Sequence, residues 1–155
     1  MSPAFFNKIN FLNHPVDFNK KIFGKRVLGK NKTFRGIFFG VIIAIIIAYL
    51  QYLLNLKNVN LISYDNFILI GFLLGFGAMF GDLVKSFFKR RADIAPGKPF
   101  IPFDQIDHVV GALLLLSLNY NITLNIFILA LIITFPLHII VNHIAYKLRL
   151  RNTYW

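Results

Sequence analysis

The sequence has no cysteine and no glutamate. The first absence excludes disulfides and thiolate metal sites, and with them any reading of redox compartment. The second hands every carboxylate role to six aspartates, which face seventeen lysines and arginines for a formal net charge of +11. That excess suits anionic lipid headgroups or anionic substrates. Because the basic residues flank long apolar runs, it points away from nucleic acid. What the chain has in quantity is apolar surface. It is 57% hydrophobic with a mean hydropathy of +0.64, against about 45–50% for soluble domains. The expected class is an all-α integral membrane protein of about four transmembrane helices, one membrane-embedded domain over residues 1–155.

Four apolar stretches carry that expectation. The first, about 37–56, is long enough to cross about 30 Å of hydrocarbon as a helix. Gly36, Gly40, Ala44 and Ala48 recur in it every four residues, a small-residue stripe that lets another helix approach closely. The second, about 67–84 and continuing to Arg91, sets Gly71, Gly75, Ala78 and Asp82 on one face, so Asp82 is expected to point into the bundle. The third, about 105–119, is short. The fourth, about 122–146, contains Pro136, which should kink it, and places His138 and Asn142 on one face for interhelical hydrogen bonding.

Residues 1–35 are basic and aromatic, with Phe5, Phe6, Phe11, Phe18 and Phe23 among lysines and asparagines, as an interfacial segment would be. The first 36 residues carry too many charges for a signal peptide. Sixteen of the seventeen Lys and Arg fall on one side of a four-span topology, with Lys57 alone on the other. The positive-inside rule then predicts both termini and the loop after the second span in the cytoplasm.

That loop and its flanks, 81–111, hold four of the six aspartates. Asp82, Lys85, Ser86 and Lys89 share one helical face, and Asp104, Asp107, His108 and Gly111 repeat the spacing. Two polar faces can therefore meet across the loop. Three carboxylates beside several cations suggest a divalent metal and a polyphosphate, since Mg²⁺ takes one or two carboxylates plus phosphate oxygens. The bland alternative is a set of charged helix ends solvated at the membrane surface. Between the flanks, Pro96, Pro99 and Pro102 make a stiff loop with room for a short polyproline II segment. Upstream, residues 24–31 nearly match a phosphate loop, but Asn31 replaces the metal-binding hydroxyl and no buried strand precedes it, so a nucleotide-hydrolase fold is rejected. Lys30, Lys32, Thr33 and Arg35, between Gly29 and Gly36, still form a basic cluster at a helix start, where free amides could hold phosphate. Topology signalling alone would also explain them.

Asp104-x2-Asp107 invites comparison with membrane CDP-alcohol phosphotransferases, but His108 stands where their glycine belongs and their later aspartates are missing. The chain more closely resembles the CDP-archaeol synthases, archaeal relatives of the CDP-diglyceride synthases. The residues that carry the resemblance run in order: Pro15-Val-Asp-Phe18, Arg26-Val-Leu-Gly29, Lys32-Thr-Phe-Arg-Gly36, Gly81-Asp82, Ser86-x2-Lys89-Arg90-Arg91, and Asp104-Gln-Ile-Asp107 with Gly111. The bacterial H-G-G element is absent, which favours the archaeal branch. Such proteins usually have one more hydrophobic helix before the segment matching Ser2–Phe6, so the resemblance implies either a start assigned late or a reduced member with four spans.

The resemblance implies an enzyme that joins CTP to an unsaturated archaeal ether lipid phosphate, giving CDP-archaeol and pyrophosphate at a multi-pass cell-membrane site facing the cytoplasm. It implies Mg²⁺ on Asp82, Asp104 and Asp107. Lys89 and Arg90 would lie on the CTP phosphates or the leaving pyrophosphate, with Lys32, Thr33, Arg35 and Ser86 also contacting substrate and His108 at most a supporting neighbour. Two readings from other classes stay open at this level: a non-enzymatic transporter or assembly protein, and the phosphotransferase above. Oligomeric state, lipid chain and linkage, and metal number are not legible.

Overall fold

The structure, a computed structural model, describes residues 12–29, 31–54, 63–95 and 98–149. Within them a two-stranded hairpin, β1 (Lys21–Ile22) and β2 (Lys25–Arg26), precedes four helices: α1 (Phe34–Leu54), α2 (Phe67–Arg91), α3 (Phe103–Leu116) and α4 (Leu124–Lys147). Helices α1, α2 and α4 are long and apolar enough to cross a membrane. The third is shorter than the rest. Its fourteen residues rise only about 21 Å, because the chain turns at once after Leu116, with the Ser117 and Tyr120 amides donating to Leu113 and Leu116 carbonyls. It starts earlier than the apolar pattern suggests, at Phe103, so Asp104 sits in its first turn.

Helix α2 is the centre of the bundle: it packs α1 on one side and α3 on the other, and α4 reaches it only through α3 among the described residues. The glycines of α2 explain this. A Cβ on Gly71 would lie 2.5 Å from Ile45 Cα of α1, and one on Gly75 would lie 2.7 Å from Ala44 Cβ. The small-residue stripe of α1 meets the glycine face of α2, as its spacing predicts. A second glycine face, not recognised in the sequence, meets α3. A Cβ on Gly77 would lie 2.5 Å from the Gly111 carbonyl oxygen, and Gly81 abuts the Asp107 carbonyl. Side chains on the turn below these contacts are thereby forced close together. The buried apolar cluster of Ile70, Leu73 and Leu116, with Tyr64, Tyr120 and Ile122 against it, lies at the opposite end of α2 and α3 from the charges. Many large apolar side chains of α1 and α4 remain open, among them Ile46, Leu54, Ile132 and Ile133, a surface that lipid rather than water would cover. Helix α4 continues through Pro136.

Of the interfacial segment expected over 1–35, residues 1–11 lie outside the described residues, as do Lys30, Lys57, Pro96 and Arg151. The described remainder folds back on the bundle end. Val16 N–H donates to the Lys32 carbonyl at 2.8 Å, and the hairpin turns through Phe23 and Gly24, both at positive φ, the geometry of a two-residue loop. This corrects one expectation. The free amides proposed at the start of α1 are already engaged: Phe34 and Arg35 N–H donate to the His14 and Leu12 carbonyls, and Gly36 N–H donates to Thr33 Oγ1. The chain before α1 returns to satisfy these three amides, so they are not free to hold phosphate.

Candidate active site

The last two turns of α2 and the first two of α3 face each other where Gly81 abuts Asp107. Lys85, one turn after Gly81 on the same face, enters the gap. Its Nζ lies 3.1 Å from Asp82 Oδ1, 3.1 Å from Asp104 Oδ1 and 2.9 Å from Asp107 Oδ2. Lys32, just ahead of α1, pairs with the other Asp82 oxygen. Lys89 pairs with Asp104 Oδ2 at 3.0 Å, and the Phe100 amide donates to that same oxygen at 2.7 Å. The end of the proline-rich loop is so latched to α3. Asp107 is nearly buried and also meets His108 Nδ1 at 3.2 Å. The two polar faces read from spacing do meet, and they meet through lysine.

Beside this cluster opens a cleft of about 480 Å³ lined by Arg26, Leu28, Gly29, Asn31, Lys32, Lys85, Ser86, Lys89, Arg90 and Asp104. Five cationic side chains and one carboxylate line it, so its field favours a polyanion. One wall is the loop between β2 and α1. Asp17 builds that wall. Its carboxylate, with no side-chain exposure, accepts from Arg26 Nη2 at 2.8 Å and from the amides of Asn19, Leu28 and Gly29 at 3.1–3.2 Å. Burial pushes its carboxyl up, but the guanidinium and the three amides outweigh burial and hold it at about 2. Gly29, at a φ of 119°, takes a conformation that suits glycine and brings the backbone against Arg90, whose Nε would lie 3.8 Å from a Cβ there. Arg91 fastens the hairpin to α2 by donating to the carbonyls of Ile22 at 2.6 Å and Arg26 at 3.0 Å, and Lys25 reaches Asp93 at 2.6 Å.

Of the residues singled out from sequence, Asp82, Asp104, Asp107, Lys32, Lys89, Ser86 and Arg90 gather around the cluster and cleft. Thr33 does not line the cleft; it caps α1. Arg35 is buried in the first turn of α1 and is likewise outside the lining. Lys85, Asp17 and Arg26 were missed as site residues. Lys85 had a signal, since its spacing set it on the Asp82 face. Asp17 and Arg26 had none beyond their place in short motifs, because their partners lie up to twelve residues away across a turn.

A model of the CarS-like CDP-archaeol synthase family matches residues 3–155. The chain belongs to that family. It is 42% identical over 150 residues to the CDP-archaeol synthase of Archaeoglobus fulgidus, covering 91% of this chain and 84% of that protein. To the CDP-archaeol synthase of Methanocaldococcus jannaschii it is 35% identical, covering 91% and 83%. Among solved structures it is similar, at a TM-score of 0.71 and 28% identity over 87% of this chain and 82% of the other, to an intramembrane enzyme of archaeal membrane lipid biosynthesis. Family membership decides between the readings left open: this is a membrane-embedded nucleotidyltransferase, neither a transporter nor an assembly protein nor a CDP-alcohol phosphotransferase.

Proposed function

We propose that the protein transfers CMP from CTP to an unsaturated archaeal ether lipid phosphate, releasing pyrophosphate and leaving CDP-archaeol in the membrane. A phosphate oxygen of the lipid attacks the α-phosphorus of CTP, the bond from that phosphorus to the bridging oxygen breaks, and the electron pair leaves with pyrophosphate. The observation that carries this reading is the cationic cleft opening directly beside three carboxylates at one end of a lipid-facing bundle. Both reactants are anions, so bringing them together and neutralising charge are the larger part of the task. The lipid phosphate is already a nucleophile and needs no general base. Lys89, Arg90, Lys32 and Arg26 hold the triphosphate; Ser86 donates to it from the floor of the cleft.

The donor set suits Mg²⁺: hard carboxylate oxygens from Asp82, Asp104 and Asp107, already gathered around one small cation, the Lys85 ammonium. When bound, Mg²⁺ supplies charge neutralisation at the reacting phosphates. The cleft lies at the end of the bundle that carries the described Lys and Arg, which, with the charge bias of the sequence, supports a cytoplasmic active site with both termini on the same side. Membranes containing the protein, incubated with radiolabelled CTP and a lipid phosphate, should give labelled CDP-lipid and unlabelled pyrophosphate when the label is on the α-phosphate. No lipid label from CTP, with CMP released instead when an unlabelled CDP-lipid and an alcohol are supplied, would overturn the reading.

A further inference from the structure

Lys85 holds the centre of the carboxylate cluster and also lines the cleft. The cluster is balanced: Asp82, Asp104 and Asp107 against Lys32, Lys85 and Lys89. A balanced cluster has little net field to draw in a divalent ion, and the position such an ion would take is occupied by an ammonium. With Lys85 between the carboxylates, no group of three acidic or histidine side chains among the described residues is placed to hold a metal ion. Yet the lysine stem is flexible, with three rotatable donors at its tip. Ser86, Lys89 and Arg90 already flank the space into which it can turn.

We propose that Lys85 is a resident counter-cation: it holds the three carboxylates together while the cleft is empty, then turns onto the nucleotide's phosphates and opens its place to Mg²⁺. The proposal rests on reading the cleft as the CTP site. Charge bookkeeping supports the exchange. A divalent ion added to the balanced cluster would leave it doubly positive, whereas moving Lys85 onto the incoming phosphates relieves part of that excess and adds a donor where negative charge arrives. Metal binding is therefore weak without nucleotide and strong with it.

Purified protein in detergent, titrated with Mn²⁺ and followed by electron paramagnetic resonance, tests this without turnover. Wild type should bind Mn²⁺ at least tenfold more tightly in the presence of a CTP analogue with a methylene between the α- and β-phosphorus. Lys85→Met keeps the stem, removes the charge and leaves the carboxylates in excess, so without nucleotide it should bind Mn²⁺ at least tenfold more tightly than wild type. Lys85→Gln, which keeps a donor to the carboxylates, gives the same readout if the methionine variant fails to fold. Lys85→Arg keeps the charge and should stay weak. If neither neutral variant binds Mn²⁺ more tightly than wild type without nucleotide, or if Lys85→Arg gains as much as they do, the proposal is overturned. A gain in the neutral variants with no response of wild type to the analogue would support the counter-cation and count against the CTP reading alone.

Discussion

Asp17→Asn should loosen the loop that walls the cleft without unfolding the bundle. The carboxylate receives a guanidinium and three amides while its side chain is fully covered. Holding its carboxyl at about 2, where an open chain has 3.8, corresponds to about 2 kcal/mol in favour of the folded loop. The sign is fixed by the direction: the folded value is depressed, so the contribution is full above about pH 4 and is lost as pH falls from there towards 2. That net figure is the size of one hydrogen bond to a charged acceptor, about 1.5–3 kcal/mol on deletion, because burial offsets much of what the guanidinium and amides supply. Asparagine keeps the shape but loses the charge and one acceptor oxygen, and its amide N–H₂ must face a donor. Local opening of residues 17–29 should then become roughly 10- to 100-fold more frequent. Hydrogen exchange at the Leu28 and Gly29 amides reads this directly, and those amides should lose protection by that factor while α2 and α3 keep theirs. Because Arg26, Leu28 and Gly29 line the cleft, KM for CTP should rise with kcat changed less. Unchanged protection at Leu28 and Gly29 would refute the reasoning, whatever happened to activity.

Asp82→Asn, Asp104→Asn and Asp107→Asn should each abolish CDP-lipid formation or nearly so and remove the thermal stabilisation given by Mg²⁺ with CTP, which mass action sets at about 2.7 kcal/mol at roughly 100 times Kd. Three variants that retain turnover and that stabilisation would make the cluster a structural ion-pair network with no metal role. Gly81→Ala must push α3 away at Asp107 and should lower stability by about 1–3 kcal/mol while also lowering turnover; a thermal melt and an activity assay on the same sample check both. Lys32→Ala should raise KM for CTP at least about tenfold by removing a charge-assisted contact worth about 1.5–3 kcal/mol, whereas Arg35→Ala, outside the cleft, should act on the melting temperature. If both variants leave KM and turnover as in wild type, both residues return to the role of topology signals.

Helices α1, α2 and α4 were legible because each is a long apolar run, and the α1–α2 contact because glycine and alanine recur at four-residue spacing. The α2–α3 contact was not legible. It depends on Gly77 and Gly81 meeting a single glycine, Gly111, in a helix too short to show its own stripe. The charged cluster was legible as two faces but not as a network. Spacing sets Asp82 and Lys85 on one face, yet it says nothing of the register between α2 and α3, and that register decides that Lys85 rather than an open gap lies between the aspartates. The hairpin was beyond reach for another reason: its strands are two residues each, and Phe23 at its turn takes a positive φ that a propensity reading assigns to Gly or Asn.

The same glycines that fix the register also set the chemistry. A pair of helices separated by ordinary side chains has axes about 8–10 Å apart, and lysine and aspartate then meet across the gap only when both are extended. Here Gly77, Gly81 and Gly111 bring the backbones of α2 and α3 into contact, so one lysine tip reaches three carboxylates at 2.9–3.1 Å. Carboxylates this close would repel strongly at a boundary where water screens poorly. The close packing therefore favours a cation at that point. An ammonium meets that need when the cleft is empty. In the reading proposed here, a divalent ion meets it when the cleft is filled, and the exchange between the two is what couples nucleotide binding to assembly of the site.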